Sequence, residues 1–192
     1  MPKSGGCGQA LTLATDQLDS IMNECPPKLR AVLSTTRFTA CRISEALSLR
    51  WSNVTATDVV VPKQITKGKK QTRTIPLNPK LADELKQWKE VWTAEHKKEP
   101  GPTDFIFPGG SGLCEHYSRK AVDKQFRAVC KKLVIEGAST HSFRRSALTA
   151  ASSAGIPLRH VQLLSGHASL DMLSRYIDVS DSQKRAVSMA FG

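Results

Sequence analysis

The sequence contains few aromatic residues, few acidic residues and no long apolar stretch. Aromatic residues make up 6% of the chain, so a row of stacking platforms for single-stranded nucleic acid is not expected. No run of about 18 consecutive apolar residues occurs, and the N-terminus lacks the apolar segment of a signal peptide. We therefore expect a soluble, intracellular protein that does not enter a membrane.

Cysteine pairs and metal-binding patterns are also missing. The five cysteines are odd in number, scattered, and never spaced as C-x-x-C, which favours reduced thiols over a disulfide scaffold. Histidines show no convincing ligand spacing, and the chain has neither a Walker A loop nor an acidic cluster suited to two metal ions. We expect no metal and no other cofactor.

What the sequence does contain is positive charge. Lys and Arg number 28 against 17 Asp and Glu, which gives a net charge of +11. Such a balance favours a polyanionic partner, because neutralised phosphates release their condensed counterions. Duplex DNA fits better than single strands, and a protein that is merely basic is the alternative.

The patterning predicts a mainly α fold with a small antiparallel β-sheet (α+β). Residues 1–10 are Gly/Ser-rich and predict a flexible tail or linker, residues 11–180 one domain, and residues 181–192 a C-terminal tail helix. Two β-branched runs around a basic, glycine-containing tip predict a hairpin over 58–77. The predicted helices cover about 15–24, 27–36, 42–51, 78–97, 118–133, 142–153, 157–164, 170–177 and 181–190, with one short strand at 105–107.

Three C-terminal features are candidates for chemistry. His141 and Arg144 form an H-x-x-R at the start of a predicted helix, where the spacing places both on one face. A turn then presents His167, and Tyr176 follows at the end of a short helix. Taken singly, each has an ordinary interpretation: a chance pair, a turn cap, or a core tyrosine at helical spacing.

Taken together with an earlier segment, they resemble a known family. The run Thr39–Leu47 (TACRISEAL) is similar to the first motif of the tyrosine recombinases, or phage integrase family. The H-x-x-R, the LSGHAS turn over 164–169 and the terminal tyrosine resemble the second, in the same order and spacing, from about Leu11 onward. Ala40 departs from the glycine that is usual in the family, which concerns the turn before Arg42.

The resemblance implies a role for each matching residue. Arg42 and Arg144 would clamp the scissile phosphate, since guanidiniums stay protonated and bond two oxygens at once. Tyr176 would be the nucleophile, with His141 as a candidate base and His167 donating a hydrogen bond to a non-bridging oxygen.

Two further residues enter less directly. The resemblance places Lys67 at the family's mobile hairpin lysine, where an ammonium can protonate the leaving sugar oxygen. Lys63, Lys69 and Lys70 lie nearby, so a solvated charge run or a plain phosphate contact is the alternative. Glu45 is expected to order the arginine region, with a helix-surface charge as the alternative.

The function implied is that of a site-specific recombinase or integrase catalytic domain, which cuts and rejoins duplex DNA through a 3′-phosphotyrosine intermediate without metal or ATP. The alternatives are a non-catalytic helix-turn-helix-like DNA-binding module and a type IB topoisomerase-like nicking and resealing enzyme. Expected partners are double-stranded DNA, further copies of the chain assembled on it, and an N-terminal core-binding domain. The tail helix would dock on a neighbouring subunit or fold back on its own domain. The expected location is the cytoplasm, in association with the nucleoid.

Overall fold

The computed structural model describes residues 9–66, 68, 71–110, 112–179 and 181–190, and within these ranges the chain is mostly helical with two small antiparallel sheets. This confirms the expected fold class. The helices are α1 (Thr15–Glu24), α2 (Pro27–Thr39), α3 (Ile43–Leu47), α4 (Pro79–His96), α5 (Arg119–Lys132), α6 (Thr140–Ser153), α7 (Leu158–Ser165), α8 (Leu170–Ser174) and α9 (Asp181–Met189). The strands are β1 (Asp58–Val61), β2 (Arg73–Pro76), β3 (Pro108–Gly109) and β4 (Gly112–His116).

Helix α2 is the central element of the fold, and its end prepares the first site residue. Its buried face packs against α4 and α6. It ends at Ala40, whose φ of 50° and ψ of 25° lie in the left-handed region. That conformation costs an L-residue such as this alanine roughly 1–2 kcal/mol, a cost that a glycine would avoid. Arg42 follows two residues later and occupies the N-cap position of α3.

The predicted hairpin is present, and its register buries an arginine. In the antiparallel β1–β2 pair, Val59 lies opposite Ile75 and Val61 opposite Arg73. Side chains alternate across a strand, so Arg73 and Ile75 share the inward face of β2, and both are buried. The tip lies between β1 and β2, and Lys67, Lys69 and Lys70 fall outside the described residues.

The main core surrounds α2 and α4, and a smaller cluster lies below the C-terminal helices. Trp88 and Trp92 are buried, and their indole nitrogens donate to the carbonyls of Ile106 and Phe105. The smaller cluster carries the partly buried ring of Tyr176 on its edge and consists of the buried residues Ala40, Leu148, Val161 and Leu173.

Three expectations about local structure were wrong. Helix α3 ends at Leu47, and the chain reaches Trp51–Asn53 as a separate 3₁₀ turn. Residues 105–107 are not a strand: only Phe105 bridges to Arg50, and the second sheet is the β3–β4 pair beyond them. Helix α8 ends at Ser174, before Tyr176.

None of the helices in the described ranges combines the length and the apolar character that crossing a membrane requires.

Candidate active site

A buried carboxylate joins two arginines from different elements. Glu45 is fully buried on α3, and it accepts from the Arg42 backbone N–H at 2.9 Å and from Arg42 Nη1 at 3.0 Å. Glu45 Oε2, which accepts from the Arg42 backbone, also accepts from Arg73 Nη2 at 2.6 Å. Burial acts to raise the pKa of Glu45, but the charges of Arg73 and Arg42 outweigh it and lower that pKa. Glu45 is therefore an ionised anchor, and the helix-surface interpretation is wrong.

Arg144 is a buried cation bonded to neutral groups. Its Nη1 donates to the Ala40 carbonyl, and its Nη2 donates to the Ser165 carbonyl at 3.0 Å. Its Nε is buried and has no acceptor within the described part of the chain. Burial and the nearby charge of Arg42 lower the pKa of Arg144 to about 10, which still leaves it protonated at neutral pH.

His167 is held as a neutral base against that guanidinium. Arg144 Nη2 lies 3.0 Å from His167 Nε2, and since a guanidinium only donates, Nε2 accepts. The ring proton then sits on Nδ1, which is 2.8 Å from the Ser165 hydroxyl. Burial and the charges of Arg144, Arg42 and Arg73 lower the pKa of His167 to about 3.

The turn between α7 and α8 sets the position of this histidine. Gly166 ends α7 with φ 69°, and Gln162 Nε2 fixes the backbone by donating to the His167 carbonyl at 3.0 Å. Ser169 then caps α8 by accepting from the Met172 N–H at 3.2 Å. Arg73 Nη1 donates to the Leu164 carbonyl at 3.0 Å, which ties this turn to β2 and so to Glu45.

Tyr176 lies against the arginine and histidine. The centroid of the Tyr176 ring is 4.9 Å from the centroid of the His167 ring. The Arg144 guanidinium carbon lies 5.7 Å from the centroid of the Tyr176 ring. The ring is partly buried beside the small cluster below the C-terminal helices. Arg42 is close enough for its charge to lower the pKa of both Arg144 and His167. The structure therefore brings Arg42, Arg144, His167 and Tyr176 into one region, although they come from four separate parts of the sequence.

His141 shares a cavity with Tyr176, but Arg42, Arg144 and His167 are not among the residues that line it. His141 lies in the first turn of α6, where the Ser139 side chain accepts from its N–H at 3.3 Å, and its Nε2 is 3.4 Å from Arg119 Nη2. The cavity, of about 410 Å³, is lined by Gln9, Ala10, His141, Arg145, Met172, Arg175 and Tyr176. His141 and Tyr176 thus face a common space. Lys67, the remaining predicted catalytic residue, lies outside the described residues.

The charges at this site do not balance. Arg42 and Arg73 form salt bridges to the single carboxylate of Glu45, and no salt bridge of Arg144 occurs among the described residues. The site thus holds three guanidiniums and one carboxylate, an excess of positive charge that is largely buried, since Arg73 and Arg144 are buried and the Arg42 side chain is 22% exposed. Such a site favours an anion.

Sequence reasoning missed two arginines that shape the site. Arg73 was available from the pattern, because strand alternation in β2 places it on the same inward face as Ile75. Arg145 had no such signal, since its partners lie at the two ends of the chain.

Comparison with known proteins covers most of the chain. A family model described as "Phage integrase family" matches residues 12–183. A tyrosine recombinase of Pseudothermotoga lettingae is 32% identical over 157 residues, covering 80% of this chain and 50% of the relative. A putative integrase/recombinase of Sinorhizobium fredii is 29% identical, covering 85% of this chain and 50% of the relative. The chain thus spans about half the length of these two curated relatives.

Solved structures share the fold. The XerA recombinase superposes with a TM-score of 0.78 at 17% identity, covering 96% of this chain and 66% of that one. The XerH recombinase in its post-cleavage complex with a palindromic difH substrate gives 0.76 at 21% identity, covering 98% and 56%. At these identities the likeness concerns the fold alone.

Proposed function

This chain belongs to the phage integrase family, and we propose from that premise that it is the catalytic domain of a site-specific DNA recombinase. It cuts and rejoins duplex DNA through a 3′-phosphotyrosine link to Tyr176. The observation that carries the proposal is the excess of buried guanidinium charge directly beside a tyrosine ring. A phosphodiester is the anion that such a pair of groups can both hold and attack.

Arg42 and Arg144 take the scissile phosphate. Attack on a phosphodiester gathers negative charge on the two non-bridging oxygens, and fixed donors stabilise that charge without reorganising. Glu45 supports this role by holding Arg42 through both its backbone and its side chain. The unused Nε of Arg144 is a further donor for the phosphate.

His167 changes its role when the phosphate arrives. In the structure Nε2 accepts from Arg144, so the ring donates nothing to a ligand from that nitrogen. A phosphate offsets part of the surrounding positive charge, so the pKa of His167 rises and Nε2 can gain a proton. The protonated ring then donates to a non-bridging oxygen.

The covalent step uses Tyr176, His141 and Lys67. The Tyr176 oxygen forms a bond to phosphorus as the bond to the 5′ oxygen breaks, and His141 takes the phenolic proton. Lys67, carried over from the family motif, protonates the leaving 5′ oxygen. The phosphotyrosine ester retains the bond energy, so rejoining by the reverse step requires neither metal nor ATP.

Duplex DNA is the proposed substrate, and assembly on it the proposed working form. Among the structural neighbours, XerH is bound to its difH substrate and lambda integrase to a core site as a dimer. The described part of the tail exposes Val187 and Met189 on α9, which favours docking on a neighbouring copy. Because the relatives are about twice as long, we also propose that a separate core-binding domain completes the grip on DNA. The cytoplasm, with the nucleoid, is the proposed location.

A trapping experiment tests the function. The protein is incubated with a pool of nicked duplexes randomised around the nick, so that the short cleaved strand diffuses away and the covalent complex accumulates. We expect an adduct that survives denaturation, with the nucleotide on Tyr176 by mass spectrometry. Tyr176→Phe should reduce the adduct at least about 100-fold, because no other phenol replaces it.

The same experiment separates the alternatives. DNA binding without any adduct would favour a non-catalytic helix-turn-helix module. An adduct that reseals without exchanging strands between two labelled duplexes would favour a topoisomerase-like enzyme. An adduct that persists in Tyr176→Phe would contradict the proposed nucleophile.

A further inference from the structure

The segment that carries Tyr176 is held by two residues one turn apart on α6. Arg145 Nη1 donates to the Arg175 carbonyl at 3.0 Å, and Arg145 Nη2 contacts Asp178 Oδ1 at 2.5 Å. Thr149 Oγ1 donates to the Tyr176 carbonyl at 3.3 Å and accepts from the Asp178 N–H at 3.2 Å. The backbone is therefore gripped immediately before, at and after the tyrosine.

Arg145 also connects this segment to the opposite end of the chain. Its Nε donates to Thr12 Oγ1 at 2.8 Å and its Nη1 to Gln9 Oε1 at 2.5 Å, while Thr12 Oγ1 donates to Asp178. Every nitrogen of this buried guanidinium has a partner. The hydrogen bond from Arg145 lowers the pKa of Asp178, so the carboxylate stays ionised over the neutral range.

The grip adds to two backbone hydrogen bonds, from the Tyr176 and Ile177 N–H groups to the preceding turn, and to the packing of both side chains on the small cluster. Helix α8 ends at Ser174 and α9 begins at Asp181, so Tyr176 lies in a connection without regular structure. An attacking oxygen must be placed to within a fraction of an ångström of in-line geometry, and small misplacements cost large factors in rate.

We propose that Arg145 is a positioning residue that, together with Asp178 and Thr149, holds Tyr176 against the Arg144–His167 pair of its own subunit. The proposal rests on the nucleophilic role of Tyr176 given above. Arg145 does not touch the phosphate. It fixes the backbone from which the nucleophile projects, and the Gln9–Thr12 segment completes the clamp.

The test uses two mild changes and a matched control. Asp178→Asn removes the charge that Arg145 holds, and Thr149→Val removes both bonds of that hydroxyl without a change of shape. Asp19→Asn is the control, because Asp19 also pairs with a largely buried arginine, Arg37, and its side chain is 56% exposed against 53% for Asp178. We expect adduct formation on the nicked duplex to slow about tenfold or more in the two clamp variants, with DNA affinity unchanged. The control should behave as the wild type.

Two further measurements separate positioning from a general loss of structure. Amide hydrogen exchange over residues 175–179 should accelerate in the clamp variants, while exchange in α2 and α4 stays at wild-type rates. In a Tyr176→Phe background, hydroperoxide anion can attack the phosphorus from solution and release the 5′ oxygen. Its rate should be the same with and without Asp178→Asn, since the phosphate site is intact.

The outcomes are distinct. Wild-type adduct rates in both clamp variants would overturn the proposal, and so would a hydroperoxide reaction that slows in parallel with the tyrosine reaction. A wild-type protein that forms no adduct while it binds DNA would overturn the proposed function, and the positioning role with it.

Discussion

Arg144 is costly to bury, and that cost is informative about function. A buried cation without a carboxylate partner destabilises a fold by several kcal/mol unless neutral groups solvate it. Here two backbone carbonyls and a neutral histidine do so, and the pKa still falls to about 10. A hydrophobic side chain would stabilise the same position better. This cost supports the proposal that the guanidinium binds an anionic ligand.

The pKa of His167 makes a prediction about stability and pH. The pKa of His167 is about 3 in the native state and about 6.5 in the unfolded chain. Between these values the unfolded chain binds a proton that the native state does not, so the free energy of unfolding decreases as the pH is lowered. Between pH 7.5 and 5 this one group should remove about 2 kcal/mol from the free energy of unfolding. Urea unfolding of His167→Gln should lack that part of the loss.

His160→Gln, at an exposed histidine, is the control for this prediction and should follow the wild type. An equal loss in wild type and His167→Gln would show that His167 is not held neutral in the native state.

At the scale of elements, the α7–α8 turn and strand β2 are fitted to each other through Gly166 and Arg73. A Cβ at Gly166 would lie 2.9 Å from both Cδ and Nε of Arg73. That side chain cannot withdraw easily, because Glu45 and the Leu164 carbonyl hold its end. The glycine is thus required by close approach as well as by its φ of 69°.

Gly155 allows the two requirements to be separated. It has φ 75°, but an added Cβ would have no atom within 4 Å. We expect Gly155→Ala to cost roughly 1 kcal/mol of unfolding free energy, from the left-handed backbone alone. Gly166→Ala should cost about 1–3 kcal/mol more, because Arg73 must move. Equal costs in urea unfolding would show that Arg73 is not packed against the turn.

At the scale of the whole molecule, the net charge of +11 should dominate DNA binding. Each phosphate contacted contributes about −0.9 to the slope of log affinity against log salt. If the isolated chain contacts about five phosphates, its affinity should fall several hundredfold between roughly 50 and 200 mM salt. Fluorescence anisotropy with a labelled duplex measures this slope. Nanomolar affinity that persists at high salt would contradict the idea that a second domain is needed for a firm grip.

Much of the fold follows from local sequence signals. Asn78-Pro79 begins α4 as expected, with the Asn78 side chain accepting from the Lys80 N–H. The β-branched runs form the hairpin, and Gly166 ends α7. Local pattern failed at residues 105–107, an apolar run that is buried without forming a strand and whose first two carbonyls accept from the tryptophans of α4. The roles of the individual site residues stay predictions.

The amino-acid sequence alone determined the family motifs, the net positive charge and the main helices. Composition fixes the charge, and motifs and helices depend on residues a few positions apart. Only the tertiary structure decided that Glu45 joins Arg42 to Arg73, that His167 Nε2 accepts a hydrogen bond from Arg144, and that Arg145 links Thr12 to Asp178. The physical reason is that burial and the field of distant charges set hydrogen-bond direction and pKa. Both arise only when segments from across the chain pack together.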